Sequence, residues 1–460
     1  MQDTRRGFIK STAALGLGYW AAGGASRADS TSAGEKVNIA CVGVGGKGGS
    51  DTNNAAEHGN IVALCDCDEG TLGKMGEKYP MAKKYTDFRK MLEEMGKSID
   101  AVTVSTPDHT HAPASVMAMR MGKHVYCQKP LTHTVHEARL MAQLAKEKKL
   151  STQMGNQGTA DDGFRSGVEI IRSGAIGTVK EVHVWTNRPI WPQAPDVVSR
   201  PAYEDPVPAN LNWDAFIGPA PMRPYVAKHR EGPAKGKGVY HTFAWRGWWD
   251  FGTGALGDMG CHTMNMAFMA LKLTHPTSIE AEAGDVNSET CPSFATIRYE
   301  FPANGDRPPV KVVWYEGKIN GQKNLPPLDL LQGEAPVGSG LLLVGDKGSA
   351  YSPNDYGARI VLLPKASFMG YQPPAATLPR QGGGNNDSYM KKEWIAAIKG
   401  GPEPMSNFGY AGLLTETLLL GNVAIRAGKK LAWDGPNFKI TNDASANQLL
   451  HKPYREGWKL

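Results

Sequence analysis

The run Val37-Asn38-Ile39-Ala40-Cys41-Val42-Gly43-Val44-Gly45-Gly46-Lys47-Gly48 constrains this 460-residue chain more than any other. An apolar stretch of strand length passes directly into Gly-x-Gly-x-x-Gly, the pattern of a turn that cradles a dinucleotide pyrophosphate at a helix N-terminus. In that reading Gly43 permits the tight turn, Gly45 lets the pyrophosphate approach the backbone, and Gly48 lets the next helix pack closely on the strand. Gly46 and Lys47 complete the cofactor-binding turn. A second apolar run, 61–65, follows a helix-length gap and ends at Asp66. A carboxylate there accepts hydrogen bonds from ribose hydroxyls and repels a 2′-phosphate, which favours NAD over NADP. The glycines taken alone are also compatible with an ordinary strand–helix loop.

The first residues read as an address. Thr4-Arg5-Arg6-Gly7-Phe8-Ile9-Lys10 has the twin-arginine pattern, a weakly apolar stretch follows, and Ser26-Arg27-Ala28 offers a small-x-small cleavage site. Residues 1–28 are therefore set aside as a signal for folded export to the periplasm. That stretch is short and glycine-rich, and no later run is expected to reach the roughly 20 residues of a membrane span, so no stable membrane insertion is expected. Four basic residues and one acidic residue precede Asp29, so half of the formal charge of +6 belongs to the signal. The small surplus that remains argues against nucleic acid as a partner. Cys41, Cys65, Cys67, Cys127, Cys261 and Cys291 show no Cys-x-x-Cys spacing and read as small core hydrophobes.

Length suggests two domains. From 35 to 157, strand-length apolar runs (37–44, 61–65, 101–105, 124–127, 151–154) alternate with helical spacing at 87–95, 114–121 and 136–148. This is the rhythm of an α/β doubly wound parallel sheet. A helix at 164–171 and a strand at 179–186 open a second unit, 158–441. After Arg188 the composition shifts to Pro, Trp and Gly, a long loop of the kind that usually carries function. Runs at 279–283, 295–301, 310–315, 341–344 and 360–363 without intervening helices predict an α+β domain with a large open, mostly antiparallel sheet. Helices at 389–398 and 413–427 follow, the second expected to pack back on the first domain, and 442–460 is a C-terminal tail.

Lys129, in Tyr126-Cys127-Gln128-Lys129-Pro130, ends a strand of the nucleotide domain at the edge where such sheets bind ligands. Its ammonium can hydrogen-bond a substrate oxygen while hydride leaves the adjacent carbon; a solvated lysine before a turn proline is the other reading. Asp258 and His262 stand four apart, so on a helix they share a face. Together they can orient a base and accept the proton that alcohol oxidation releases, or simply cap and pack a helix. A zinc site from Asp258, Cys261 and His262 has no supporting paired spacing, and no metal is expected. Trp248 and Trp249, with Trp185, Trp191, Trp213 and Trp245, offer flat rings suited to sugar faces or to a core. Thr106, Pro107, Asp108, His109 and His111 follow the 101–105 strand, where they either line the nicotinamide end of the cleft or cap the next helix.

Taken together, these motifs resemble the Gfo/Idh/MocA family of oxidoreductases over nearly all of the chain after the signal. The likeness rests on Gly43 to Gly48 with Asp66, on Ser105-Thr106-Pro107-Asp108-His109-Thr110-His111, on Lys129-Pro130, on Gly174-Ala175-Ile176-Gly177, and on Asp258 with His262. Leu211-Asn212-Trp213-Asp214 and Gly218-Pro219 make the exported members the nearest in kind. The resemblance implies a Rossmann domain with bound NAD and a sugar or cyclitol substrate. It also implies catalytic Lys129 and His262 assisted by Asp258, and a homodimer or homotetramer formed through the open sheet. Where the family usually has Glu before the lysine, this chain has Gln128, which alters how Lys129 is held. Three functions follow as expectations: hydride transfer from a secondary hydroxyl, glycoside cleavage by transient oxidation with the same cofactor, or sugar binding with structural NAD.

Overall fold

The predicted alternation becomes a six-stranded, all-parallel sheet. Its strands are β1 (Asn38–Val42), β2 (Asn60–Cys65), β3 (Lys83–Tyr85), β4 (Ala101–Val104), β5 (His124–Cys127) and β6 (Thr152–Met154), ordered β3-β2-β1-β4-β5-β6. The computed structural model describes residues 36–460, so the export signal expected at 1–28 lies outside the described residues. Ile39, Ala40, Cys41, Val102 and Val125 are completely buried, because helices cover both faces of the sheet. Strand order reverses between β1 and β4, and the crevice beyond their C-terminal ends is the ligand edge of a doubly wound sheet. The glycine turn leaves β1 there, Ser105 to His111 leave β4, and Lys129 leaves β5.

The glycine turn is sterically specific. Gly43 has φ +78, and a Cβ added to it would lie 2.6 Å from the Ser105 carbonyl oxygen. A Cβ on Gly48 would lie 2.0 Å from the Gly43 carbonyl oxygen, so the helix Lys47–Ala56 starts in contact with the turn it follows. That helix has no acidic residue in its first turn and no side-chain cap, which leaves its positive end for an anion.

The second unit is built on a ten-stranded mixed sheet. It comprises β7 (Val179–Trp185), β8 (Ser278–Gly284), β9 (Phe294–Phe301), β10 (Val310–Ile319), β11 (Gln322–Lys323), β12 (Gly340–Gly345), β13 (Ser349–Ser352), β14 (Val361–Leu363), β15 (Leu431–Asp434) and β16 (Lys439–Ile440). Only β7 with β10 is parallel; every other pairing is antiparallel. One face packs on the helices Gly254–Thr263 and Phe408–Ala427. The other is partly roofed by the chain's own segment 325–337, where Leu331 joins Trp185, Val313, Tyr315 and Leu342 in a separate apolar cluster. The Trp185 indole donates to the Val337 carbonyl and the Tyr351 hydroxyl to the Ala335 carbonyl, fastening that roof.

The two units are joined by returning C-terminal segments. Helix Phe408–Ala427 lies between helix Val135–Glu147 of the first unit and helix Gly254–Thr263 of the second: added Cβ atoms at Gly412 and Gly260 would strike Ala142 at 2.9 Å and Leu418 at 2.6 Å. This helix corrects the expectation that no later run reaches spanning length. It has 20 residues and is apolar enough to span, but 83% of its apolar 18-residue stretch is buried within the protein, because two domains cover it. Helix Asn386–Ile398 also reaches the first sheet, packing Trp394 against Tyr126 with tilted rings whose centroids are 5.7 Å apart. Finally, residues 452–458 cross the nucleotide domain. Tyr454 donates to Glu137, Arg455 binds Asp214 and the Gly218 carbonyl, and Trp458 packs on Phe88 and Arg89.

Gly48→Ala forces Gly43 and the helix apart. We expect a loss of about 2 kcal/mol of unfolding free energy together with loss of dinucleotide binding, measured by denaturant titration and by nucleotide content after purification.

Candidate active site

Lys129 reaches from the first unit to a helix of the second. Its Nζ donates to the Asp258 carboxylate and to the Asp258 backbone carbonyl, each at 2.8 Å. Asp258 and His262 lie one turn apart on helix Gly254–Thr263, whose start is fixed from the first unit: buried Asp108 accepts from the Thr253 amide at 3.1 Å and the Thr253 hydroxyl at 2.6 Å. Thus Asp108 caps a helix of the second unit, while its own helix has no side-chain cap. Glycines 254, 257 and 260 keep the helix thin, so it sits close to Cys291, Pro130 and Leu418.

Asp258 serves Lys129 rather than His262. Its carboxylate also faces Arg246 Nε at 3.4 Å and Arg188 Nε at 3.6 Å, with no hydrogen bond to the histidine among the described residues. Burial alone would raise its pKa, but the Lys129 ammonium and then the Arg246 guanidinium outweigh this and hold it at about 2. His262 is buried, its Nδ1 has no partner among the described residues, and its ring meets that of Tyr356 edge to face, with centroids 4.8 Å apart. Burial, reinforced by Lys129, drives its pKa well down. The imidazole is therefore neutral and able to accept a proton. Arg188, Arg246 and Tyr356 carried no signal in the sequence, because each comes from loop structure without periodicity.

The glycine-turn residues fit a dinucleotide. Asp66 lies at the end of β2, accepting from the Val44 amide at 2.8 Å and the Asp68 amide at 3.0 Å, and so ties the turn to the strand. Lys47 turns its ammonium to Asp51 at 2.9 Å and Asp387 at 2.7 Å, so its side chain links the turn to helix Asn386–Ile398. The long loop closes on the same edge: the Glu69 amide donates to the Asn210 carbonyl and the Asn212 amide to the Cys67 carbonyl, both at 2.8 Å.

Gln128 takes its meaning from Asp51. Its Nε2 donates to the fully buried Asp51 carboxylate at 2.8 Å, while its Oε1 accepts from the Lys129 amide at 3.3 Å. Lys391, buried over the Tyr126 ring, and the Ser105 hydroxyl meet the same carboxylate. The amide is the form that can donate here; a carboxylate at 128 would oppose another.

Other expected site residues have structural places. His109 is buried between Phe216 and Phe251, bonded to the Phe216 carbonyl at 2.9 Å, and burial first, then Lys452, lowers its pKa to about 3. His111 has one ring nitrogen 2.8 Å from the Pro130 carbonyl and the other 2.8 Å from the Thr106 carbonyl. Both nitrogens face acceptors, so both donate, and the ring is an imidazolium that clamps the residue after Lys129 to the end of β4. Pro107 starts helix Asp108–Arg120, and the Thr106 hydroxyl turns to the Pro107 carbonyl. Trp248 and Trp249 do not line the cleft as expected. Trp248 is fully buried with its indole on the Val239 carbonyl, and Trp249 donates to the Asn287 carbonyl; rings of this size in a loop-rich region supply its missing core. All six tryptophans of that group are buried. The Cys261 sulfur points to Thr415, and among the described residues no three His, Cys, Asp or Glu side chains form a metal-holding group.

Comparison with known proteins agrees with this architecture. Residues 37–156 match the Gfo/Idh/MocA oxidoreductase family's NAD-binding Rossmann fold and residues 170–308 its C-terminal alpha/beta domain, together more than half of the chain. The chain belongs to that family of NAD-binding oxidoreductases. Inositol 2-dehydrogenase of Salmonella typhimurium is 31% identical over 125 residues, 27% of this chain and 37% of that protein. The alignment thus spans well under two thirds of the relative's length. Two solved structures share the fold: an inositol dehydrogenase homologue from Azotobacter vinelandii complexed with NADH and myo-inositol (TM-score 0.57, 16% identity, covering 87% of this chain and 98% of that one), and an aldose-aldose oxidoreductase from Caulobacter crescentus (0.55, 18%, covering 87% and 100%).

Two substitutions test the supports of Lys129. Burial works against the His111 cation, but Cys127, Asp108 and the Pro130 carbonyl outweigh it and raise its pKa from 6.5 to about 9. Its stabilisation is full below pH 6.5 and is lost as pH rises through about 9. The stability gap between wild type and His111→Gln should shrink by roughly 3 kcal/mol across that window in denaturant titrations. Gln128→Glu should unfold about 2 kcal/mol more easily at alkaline than at acidic pH, since the protonated acid can still donate to Asp51 and the carboxylate cannot.

Proposed function

We propose that this chain is an exported NAD-dependent oxidoreductase that transfers hydride between a secondary alcohol carbon of a sugar or cyclitol and a tightly held nicotinamide. The observation that carries the reading is the 2.8 Å bond from Lys129 Nζ to Asp258, with His262 on the same helical face, at the mouth of the crevice beyond β1 and β4.

A nicotinamide bound along the glycine turn supplies the hydride acceptor. The turn and the open end of helix Lys47–Ala56 would hold its diphosphate, and Asp66 would take its ribose hydroxyls, a carboxylate that favours NAD over NADP. Lys129 donates to the substrate oxygen and keeps it positioned while the C–H bond breaks. Neutral His262 takes the hydroxyl proton, so alcohol becomes ketone with two electrons and one proton leaving as hydride and the other proton on the imidazole. Asp258 fixes Lys129 in register with that oxygen.

The docking of residues 210–212 over residues 67–69 supports a cofactor that stays bound, and the twin-arginine pattern supports the periplasm as the place of action. A homodimer or homotetramer formed through the second sheet would use the roof 325–337 as part of its contact.

Denaturant extraction of purified protein should release close to one nicotinamide dinucleotide per chain, or the emptied protein should take one up again; an empty protein that cannot be reloaded contradicts the reading. Lys129→Met should lower the reduction rate of the bound nicotinamide by about 10²–10³-fold, measured by stopped-flow absorbance with a polyol panel.

A further inference from the structure

The site around Asp258 holds more positive charge than moving a hydride requires. Lys129 and Arg246 stand 2.8 and 3.4 Å from one carboxylate oxygen and Arg188 stands 3.6 Å from the other. Three cations therefore share one anion. The nearby Asp108 carboxylate is turned to Thr253, and His262 is neutral.

The two arginines are held as receptors are. Arg246 lies over the rings of Trp245 and Phe243 at 4.2 and 4.7 Å, with Nη1 on the Phe243 carbonyl at 3.2 Å. Arg188 is steadied by the Asn187 side chain. Among the described residues no acceptor meets Nη2 of either, and the side chains keep 21% and 24% of their surface exposed. The segments that carry them also bound a cavity of about 340 Å³, lined by Ile190, Trp191, Thr242 and Phe243 with Lys237 among its walls. That is the lower end of the size range of small-molecule sites.

A neutral polyol presents hydroxyls that both donate and accept, so its site needs acceptors as well as donors. Here both oxygens of Asp258 are committed to cations, and apart from the His262 imidazole, which meets the reacting hydroxyl, the charged groups left over are donors. An acidic oxygen group accepts only, and planar guanidinium groups match it two bonds at a time.

We propose that the substrate is an acidic sugar or cyclitol, whose carboxylate or phosphate ester is held by Arg188 and Arg246 beside the carbon that Lys129 and His262 oxidise. This rests on the hydride-transfer reading. The arginines set specificity, and Asp258 holds them together beside Lys129 until the ligand anion arrives to share their charge.

The test uses cofactor-loaded enzyme and matched pairs: D-glucuronate, D-galacturonate and D-gluconate against D-glucose, D-galactose and D-glucitol, with D-glucose 6-phosphate as the phosphate arm. Binding is read by calorimetry and turnover by nicotinamide absorbance. We expect at least one acid to bind about tenfold or more tightly than its neutral parent, with an advantage that falls as salt rises. Arg188→Met or Arg246→Met should erase that advantage, and Arg188→Lys should restore part of it. Preference for the uronates and gluconate identifies a carboxylate, and preference for the phosphate ester alone identifies a phosphoryl group. Neutral sugars that bind as well as every acid, or an acid preference that survives in both methionine variants, overturn the inference. If acids bind selectively but no ligand ever changes the absorbance, the redox reading fails while the arginine site stands.

Discussion

Lys129 ends a strand of the first sheet and Asp258 belongs to a helix of the second unit, so their 2.8 Å bond forms only when the two units dock in one register. The protein fixes that register from both sides. Asp108 reaches across to hold Thr253 at the start of the Asp258 helix, and His111 clamps the carbonyl that follows Lys129. Beneath them, Gln128 seats the lysine's own amide against the buried Asp51 network. A charge pair in a half-buried cleft is sensitive to misplacement, because its attraction and its desolvation cost are both large and nearly cancel. The surrounding clamps are what turn it into a positioning device.

The sequence made the first unit legible because parallel strands covered on both faces must be continuous apolar runs, and the glycine turn must be glycine. The run at 124–127 is a strand with those limits, and Asp258 and His262 share a helical face as their spacing requires. The strand Lys83–Tyr85 and the strand Ser349–Ser352 were not visible, being short and, in the first case, polar edge structure. The direction of Asp258 was also hidden: spacing pairs it with His262, whereas three cations converge on it from distant segments. Trp248 and Trp249 looked like sugar platforms because composition cannot say which way a ring in a loop faces. The helix Phe408–Ala427 likewise shows that apolar length is ambiguous between a membrane and the seam between two domains.

Between Arg188 and Gly254 the chain has little regular structure, yet it is well packed. Arg223 illustrates how: buried, it lies over the rings of Tyr240, Trp248 and Phe251 and pairs with Asp250. Aromatic faces around a cation give a loop the rigidity that a sheet gains from its ladder of backbone bonds. The segment can then present Arg246 to the cleft and still close on the edge of β2 at Asn210 and Asn212.

The crossing of residues 452–458 over the nucleotide domain has a consequence for biosynthesis. Arg455 holds Asp214 and Gly218 of the long loop while Tyr454 and Trp458 grip the first unit, so the loop and the domain it covers are latched by a segment near the end of the chain. A ribosome-bound chain can form the parallel sheet but not this latch. Fastening of the long loop is thereby deferred until residues 452–458 have left the ribosome, and any extension fused after residue 460 is placed beside that fastening.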